Sequence, residues 1–106
     1  MVRYLIENII SVLSGQTEAY FYRTAAGAEI DLLLKLSSKE LWAIEIKNSV
    51  SPKIRKGFHS ACDDVKATRK YVVYGGSDEF PIGKDAVVIS LKNLLMKLQE
   101  HLVPRH

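Results

Sequence analysis

The start of the chain carries apolar residues at helical spacing, and the segment after it has the composition of a strand. Five apolar residues lie on one stripe between positions 2 and 14, namely Val2, Leu5, Ile6, Ile9 and Leu13. A stripe of that period predicts an amphipathic helix, and Gly15 is suited to end it. The aromatic-rich segment 18–24 predicts a strand, because aromatic side chains favour the extended backbone.

Two further strands are predicted on either side of a short polar segment. Segments 28–36 and 41–47 are rich in Leu and Ile, and the polar sequence SSKE joins them. The sequence AAG before the second strand predicts a turn. The three strands therefore follow one another as a meander after the first helix.

The second half of the chain predicts a helix, two strands and a last helix. Ser51 is suited to cap a helix that has Pro52 at its first position and runs to about residue 68. Segments 71–76 and 85–90 predict strands, and 91–102 predicts the last amphipathic helix. The order αβββαβ with a short βα extension indicates an α/β protein of the α+β type, in which helices pack against a mixed sheet.

Charged residues interrupt the second and third strands where a buried sheet would be apolar. Alternation predicts that Ile30, Leu32 and Leu34 share one face of the second strand, with Glu29, Asp31, Leu33 and Lys35 on the other. In the third strand, Trp42, Ile44 and Ile46 share one face, with Leu41, Ala43, Glu45 and Lys47 on the other. A three-residue loop at 37–39 would pair Leu34 with Trp42 and Leu32 with Ile44. The same register sets Asp31 opposite Glu45 and Glu29 opposite Lys47.

This pairing predicts a metal site with phosphodiester-cleaving chemistry. Two opposed carboxylates, Asp31 and Glu45, repel each other unless a cation lies between them or one takes a proton. Mg²⁺ binds carboxylate oxygens and keeps several waters, and such a metal can polarise a phosphoryl oxygen. Lys47 can stabilise phosphate charge or position the attacking water. The alternative is a salt-bridge cluster of Asp31, Glu45 and Lys47 on a solvated sheet face. An ion pair between Glu29 and Lys47 would hold Lys47 in place and fits either interpretation.

The sequences GAEIDLLL and AIEIKNS carry a resemblance to a known superfamily. Asp31 and the Glu45-Ile46-Lys47 triplet, on neighbouring strands after an N-terminal helix, resemble the PD-(D/E)XK nucleases, although Ile30 stands where that motif has proline. Nearly the whole chain is similar to the C-terminal domain of unknown function that follows an AAA-type ATPase module in bacterial and archaeal proteins. The resemblance implies a restriction-endonuclease-like core, a Mg²⁺ or Mn²⁺ cofactor and a missing ATPase module.

Further residues are candidates for that site. The resemblance implies that Glu7 is a metal ligand from the first helix, although its spacing from Arg3 equally fits a helical salt bridge. Lys53, Arg55 and Lys56 at the start of the second helix can contact a phosphate backbone, or can form a solvated basic face. Tyr20, Tyr22 and Arg23 can stack on bases, although aromatic strands are usually core.

The composition of the chain limits its domain count, partners and cellular compartment, but it does not identify an activity. A chain of 106 residues fits one domain, 1–106, and its net charge of +3 is compatible with nucleic acid, DNA in preference to RNA. The single cysteine, Cys62, excludes an internal disulfide and fits the cytoplasm. No apolar run approaches 18 residues, so we expect no membrane span. The helical pattern begins at the initiator methionine, which predicts a fragment of a longer chain.

The sequence excludes a phosphate-binding loop and is compatible with two kinds of protein other than a nuclease. The segment GGSDEFPIGKD has the wrong spacing for a phosphate-binding loop, so we expect no ATP site in this chain. The alternative to a nuclease is a catalytically silent nuclease-like module that binds nucleic acid or a protein partner for the ATPase. A third interpretation is a regulatory domain that contacts the ATPase or forms oligomers. The sequence does not decide the oligomeric state.

Overall fold

The computed structural model describes residues 2–11, 17–47, 56–83 and 85–102, which form three helices and six strands. In chain order these elements are α1 (Val2–Ser11), β1 (Glu18–Arg23), β2 (Glu29–Ser37), β3 (Glu40–Ile46), α2 (Lys56–Val65), β4 (Arg69–Tyr74), β5 (Phe80–Ile82), β6 (Ala86–Ser90) and α3 (Leu91–Leu102). Every element predicted from the periodicity is present. The predicted helix stop at Gly15 and the helix start at Ser51 lie outside the described residues.

The strands form a mixed sheet in the order β1-β2-β3-β4-β6-β5. Strands β1, β2 and β3 are antiparallel neighbours, β4 lies parallel to β3, and β6 lies parallel to β4. The sequence pattern did not predict β5, a three-residue edge strand that pairs antiparallel with β6. It is too short to show alternation, and Pro81 at its centre is a residue that sheets accept mainly at their edges.

The two faces of the sheet are covered by different helices. Helices α1 and α3 cover one face, where the buried residues are Ile9, Leu32, Leu34, Trp42, Ile44, Ile46, Tyr71, Val73, Ile89, Leu94 and Leu98. Helix α2 covers part of the other face, where the buried residues are Ala28, Ile30, Leu33, Ala43, Phe58, Ala61 and Cys62. The molecule is thus an α+β protein in which the sheet lies between helices. None of the described helices has both the length and the apolar character needed to cross a membrane.

The predicted pairing of β2 with β3 is confirmed, although the loop between them differs. Leu34 pairs with Trp42 and Leu32 pairs with Ile44, as expected from matching their apolar faces. Ser37, however, pairs with Glu40, and the register shifts between Lys35 and Ser37. The connection is therefore two residues long, and an irregularity at position 36 takes up the residue that the prediction placed in the loop.

The prediction that Ile30 shares a face with Leu32 and Leu34 is wrong. Tyr20 of β1 pairs with Leu33, whereas Tyr22 pairs with Ile30, so two residues of β2 lie opposite one residue of β1. Such a bulge reverses the alternation beyond it. Ile30 consequently packs with Ala28 and Leu33 on the α2 side of the sheet.

A close backbone contact fixes α2 against the turn between β1 and β2. Gly27 has a φ of 95° in this turn, and its N–H donates to the Thr24 carbonyl at 3.1 Å. A Cβ atom on Gly57 of α2 would lie 2.3 Å from the Gly27 carbonyl oxygen. Only glycine at position 57 therefore allows the helix to approach the turn this closely.

A polar network around Glu40 joins β3, β4 and α3 at one end of the sheet. Glu40 Oε2 accepts hydrogen bonds from Thr68 Oγ1 at 2.9 Å and Trp42 Nε1 at 3.2 Å. Arg69 and His101 each lie 3.8 Å from Glu40 Oε1. Partial burial alone would raise the pKa of Glu40, but these hydrogen bonds and positive charges together lower it below its ordinary value.

We predict that Glu40→Gln destabilises the protein near neutral pH by about 1 kcal/mol, because glutamine keeps the shape but loses the charge. A carboxyl whose pKa is lowered by folding contributes stability above its unfolded pKa and loses it as the pH falls through the folded pKa. The difference between parent and variant should therefore shrink in acid. Urea unfolding followed by the fluorescence of Trp42, at pH 7 and at about pH 3, measures it, with the exposed Glu100→Gln as the control. A loss of equal size at both pH values would contradict the prediction.

Candidate functional site

Asp31 is positioned at the bulge in β2 and reaches across to β3 with its side chain. Its Oδ2 atom accepts a hydrogen bond from the backbone N–H of Ile46 at 2.8 Å. In an unbroken ladder with the observed register, Ile46 would lie opposite Ile30. The β2–β3 pairs end at Leu32 and Ile44, so the Asp31 carboxylate continues the contact between the two strands, and this bond rather than simple alternation locates the side chain.

Glu45 is a fully buried acid at the end of the central strand. It is 0% exposed, and its neighbours Ile44 and Ile46 both belong to the core under α1 and α3. Alternation thus directs Glu45 to the opposite side, where α2 lies. Burying a carboxylate costs several kcal/mol unless a positive charge or hydrogen bonds compensate.

Lys47 supplies positive charge beside Glu45. Its Nζ lies 3.6 Å from Glu45 Oε1, and its side chain is 24% exposed, so the ammonium group lies between the buried acid and solvent. The backbone at this point is fixed on the β4 side as well, because the Lys47 N–H donates to the Val73 carbonyl at 2.8 Å. The Lys47 backbone is therefore fixed against β4, while the ion pair with Glu45 holds its side chain near the acid.

The three predicted central residues are thus brought together on β2 and β3. The N atom of Ile46 is two covalent bonds from the Glu45 Cα, so the Asp31 carboxylate lies within about 5 Å of that Cα. Two carboxylates and an ammonium group are the side-chain types used to bind a divalent cation together with a phosphate. In the described part of the chain no group of three or more His, Cys, Asp and Glu side chains is placed to hold a metal. A two-carboxylate set fits Mg²⁺, which usually takes one or two carboxylates and completes its shell with water or substrate phosphate.

The outlying candidate residues occupy several different places. Glu29 forms an ion pair with Arg23 at 2.9 Å, a partner that the pattern did not indicate, and Glu7 is exposed on α1. Lys56 is exposed at the start of α2, whereas Lys53 and Arg55 lie outside the described residues. The roles of these residues in metal or nucleic-acid binding stay predictions.

A groove of about 550 Å³ adjoins Asp31 where β1 and β2 meet α1. Its other lining residues are Ile6 of α1, Phe21, Tyr22 and Arg23 of β1, and Glu29 and Ile30 of β2. Phe21, which is 72% exposed, was missed by the sequence analysis. The aromatic residues of β1 predict a buried strand, and only the order of strands in the sheet shows that β1 lies at an edge.

Cys62 is excluded as a nucleophile by its surroundings. It lies in the core beneath α2, and burial, with a smaller contribution from nearby acids, raises the pKa of its thiol to about 12. The reactive form of cysteine is the thiolate, which is not populated near neutral pH at such a pKa.

Comparison with known protein families gives the relationship of the chain. The model of a family described as "Domain of unknown function (DUF4143)" matches residues 3–94. The chain belongs to the DUF4143 family. The matched region includes Asp31, Glu45 and Lys47, so all three central residues are part of the DUF4143 domain.

Two curated mycobacterial proteins are similar to this DUF4143 chain. They are the uncharacterized proteins Rv2008c of Mycobacterium tuberculosis and Mb2031c of Mycobacterium bovis, each 29% identical over 92 residues. The match covers 87% of this chain but 20% of each relative, so the chain spans about a fifth of the length of these proteins. No solved structure matches it.

We predict that Asp31→Asn leaves the thermal stability in EDTA equal or higher, whereas Asp31→Ala lowers it. Asparagine keeps an oxygen that can accept the Ile46 N–H while removing one of two neighbouring negative charges. Alanine leaves that N–H without its acceptor, which costs about 1–3 kcal/mol. Thermal unfolding in EDTA compares the two.

The matched controls are Asp63→Asn and Asp63→Ala, because Asp63 is an exposed acid on α2. Both controls should unfold close to the parent temperature. If Asp31→Asn is as destabilising as Asp31→Ala, the charge itself is structural, and the salt-bridge interpretation of the cluster gains.

Proposed function

We propose that this domain is a divalent-metal-dependent nuclease of the PD-(D/E)XK type, which hydrolyses phosphodiester bonds with Mg²⁺ or Mn²⁺. The observation that carries the proposal is the hydrogen bond from the Ile46 N–H to Asp31, which holds one acid against the backbone between Glu45 and Lys47. The order of α1, the β1–β3 meander, α2 and the parallel strand β4 supports a restriction-endonuclease-like core.

Each central residue has a defined part in the proposed reaction. Asp31 and Glu45 would hold the cation, and the hydrogen bond from the Ile46 N–H fixes the orientation of the Asp31 carboxylate. Lys47, at 3.6 Å from Glu45, contacts the scissile phosphate or orients the attacking water. The bound cation would polarise the phosphoryl oxygen and lower the pKa of a coordinated water. Glu7 is proposed as a further ligand, and Glu29 as a supporting residue that acts through Arg23.

The wider setting is proposed on the resemblance and on the length of the relatives. Since the chain spans a fifth of the mycobacterial proteins, a longer protein with an AAA-type ATPase module is the proposed context, in the cytoplasm. The proposed substrate is nucleic acid, DNA in preference to RNA. The net charge of +3 supports an anionic partner.

A second candidate function is a nuclease-like module that binds nucleic acid or a protein without cleaving. The complete burial of Glu45 favours it, because a ligand at 0% exposure is reached by a hydrated cation only if the cation loses water. The two proposed functions rely on the same arrangement of residues, and they differ in whether a metal ion binds at Asp31 and Glu45. They are separated by measuring metal binding and cleavage on the same variants.

We predict Mn²⁺-dependent cleavage of DNA by the protein that EDTA abolishes, and a loss on the order of 10²-fold or more in rate for Asp31→Asn, Glu45→Gln and Lys47→Met. The first two variants also lose heat of Mn²⁺ binding in calorimetry, because each removes a ligand charge. Asp63→Asn, as the exposed control, keeps both. Mn²⁺ binding without cleavage, or neither, would leave the binding module as the better account.

We predict that DNA affinity falls steeply with salt if the start of α2 contacts phosphates, with a slope of roughly 0.9 in log–log units for each contact on a duplex. The double substitution Lys53→Ala and Lys56→Ala should flatten that slope. Anisotropy titrations at several salt concentrations measure it, with Lys35→Ala and Lys92→Ala, two exposed lysines on β2 and α3, as the control pair. An unchanged slope in the Lys53 and Lys56 variant would place the phosphate contacts elsewhere.

A further inference from the structure

The groove beside Asp31 has an exposed aromatic ring in its wall, which needs an explanation. Phe21 is 72% exposed, more than any other large apolar side chain that the structure describes. It lies on β1 opposite the bulge of β2, and Asp31 lines the same groove. A large exposed apolar side chain in a concave surface beside polar groups is typical of a binding site rather than of a solvated face.

The orientation of the ring follows from the edge strand. The preceding residue Tyr20 and the following residue Tyr22 point to the α2 side, where the Tyr22 hydroxyl lies 3.3 Å from Asp64 Oδ2. Phe21 therefore points to the α1 side, where Ile6 forms part of the groove. Helix α1 leaves most of the ring uncovered, so a flat ligand has access to its face.

The groove also carries a cation at its rim. The Arg23 side chain is 78% exposed and is held by Glu29 at 2.9 Å. An arginine in this position is two residues from Phe21 on the same side of the strand. An aromatic platform with an arginine beside it is the combination that binds a base by stacking and its phosphate by charge.

We propose that this groove binds one unpaired nucleobase, stacked on Phe21, with the adjoining phosphate at Arg23. The inference rests on the proposed function, and it adds that the substrate is single-stranded nucleic acid or an unpaired end. A base inside a duplex is stacked between its neighbours and cannot lie on a protein ring unless it is flipped out. The groove volume of about 550 Å³ accommodates a single base with its sugar, and Asp31, one of the two acids of the proposed cleavage site, forms part of its wall.

Binding without cleavage is the direct test. Labelled oligo(dT) and a hairpin duplex of equal length are titrated by anisotropy in EDTA, so that metal chemistry does not enter. Phe21→Ala should weaken binding of the single strand roughly tenfold, within the range for loss of one base–aromatic stack. Phe21→Trp should retain it, and hairpin binding should change less than twofold in both variants.

Phe80→Ala is the matched control, because Phe80 is an exposed aromatic residue on β5, at the opposite edge of the sheet. It should bind oligo(dT) like the parent. Circular dichroism of each variant shows that β1 is intact, and the Phe21→Trp variant tests the site even if the alanine variant misfolds. On stacking, the emission of the indole introduced by Phe21→Trp should be quenched by oligo(dT), while that of the buried Trp42 stays constant.

The outcomes for the groove and for the nuclease are separate. If Phe21→Ala weakens single-strand binding but no Mn²⁺-dependent cleavage is seen, the base site is supported and the nuclease proposal is rejected. If the protein cleaves DNA but Phe21→Ala does not change single-strand binding, the base site is overturned and the nuclease proposal stands. An equal loss for oligo(dT) and hairpin, or no binding of oligo(dT) by the parent, also overturns the inference and directs attention to a protein segment as the occupant.

Discussion

The backbone N–H of Ile46 sets a constraint on which the centre of this domain depends. A buried N–H needs an acceptor, and the pairing of β2 with β3 ends at Leu32 and Ile44, before it reaches Ile46. The Asp31 side chain takes that place at 2.8 Å. This hydrogen bond joins β2 to the central strand beyond the last paired residues, Leu32 and Ile44, and it places the Asp31 carboxylate beside the backbone of Glu45. Structure and proposed chemistry are coupled here, because the group that repairs the sheet is the group proposed to bind the cation.

Strand β3 is the other fixed point, since it pairs antiparallel with β2 and parallel with β4. A residue on such a strand has little freedom, which suits an acid that is 0% exposed and a lysine that must stay 3.6 Å from it. The rigid position is favourable for catalysis, which requires ligands held in place before substrate binds. The same burial restricts the access of a cation to Glu45. Whether rigid positioning or restricted access dominates is the physical difference between the nuclease and the non-cleaving binding module.

Much of the fold could be predicted because each prediction depended on a local pattern. The pairing of Leu32 with Ile44 followed from matching apolar faces, and Asp31 and Glu45 were found because they are charges inside apolar runs. The position of Ile30 could not be predicted, since alternation assumes an unbroken strand and the bulge depends on the neighbouring β1. The exposure of Phe21 depends on the sheet order, which is a property of the whole chain. Site chemistry at these residues stays a prediction.

The two edges of the described sheet differ in a way that bears on self-association. Strand β5 is three residues long and has Pro81 at its centre, so it offers few donors to another strand. Strand β1 has six residues, three of them aromatic, and no proline. Of the two described edge strands, β1 is therefore better suited to strand addition than β5. If two copies met through β1, the joined sheet would present β5 at both ends. The short proline-containing strand would then limit such association to pairs rather than open-ended fibres.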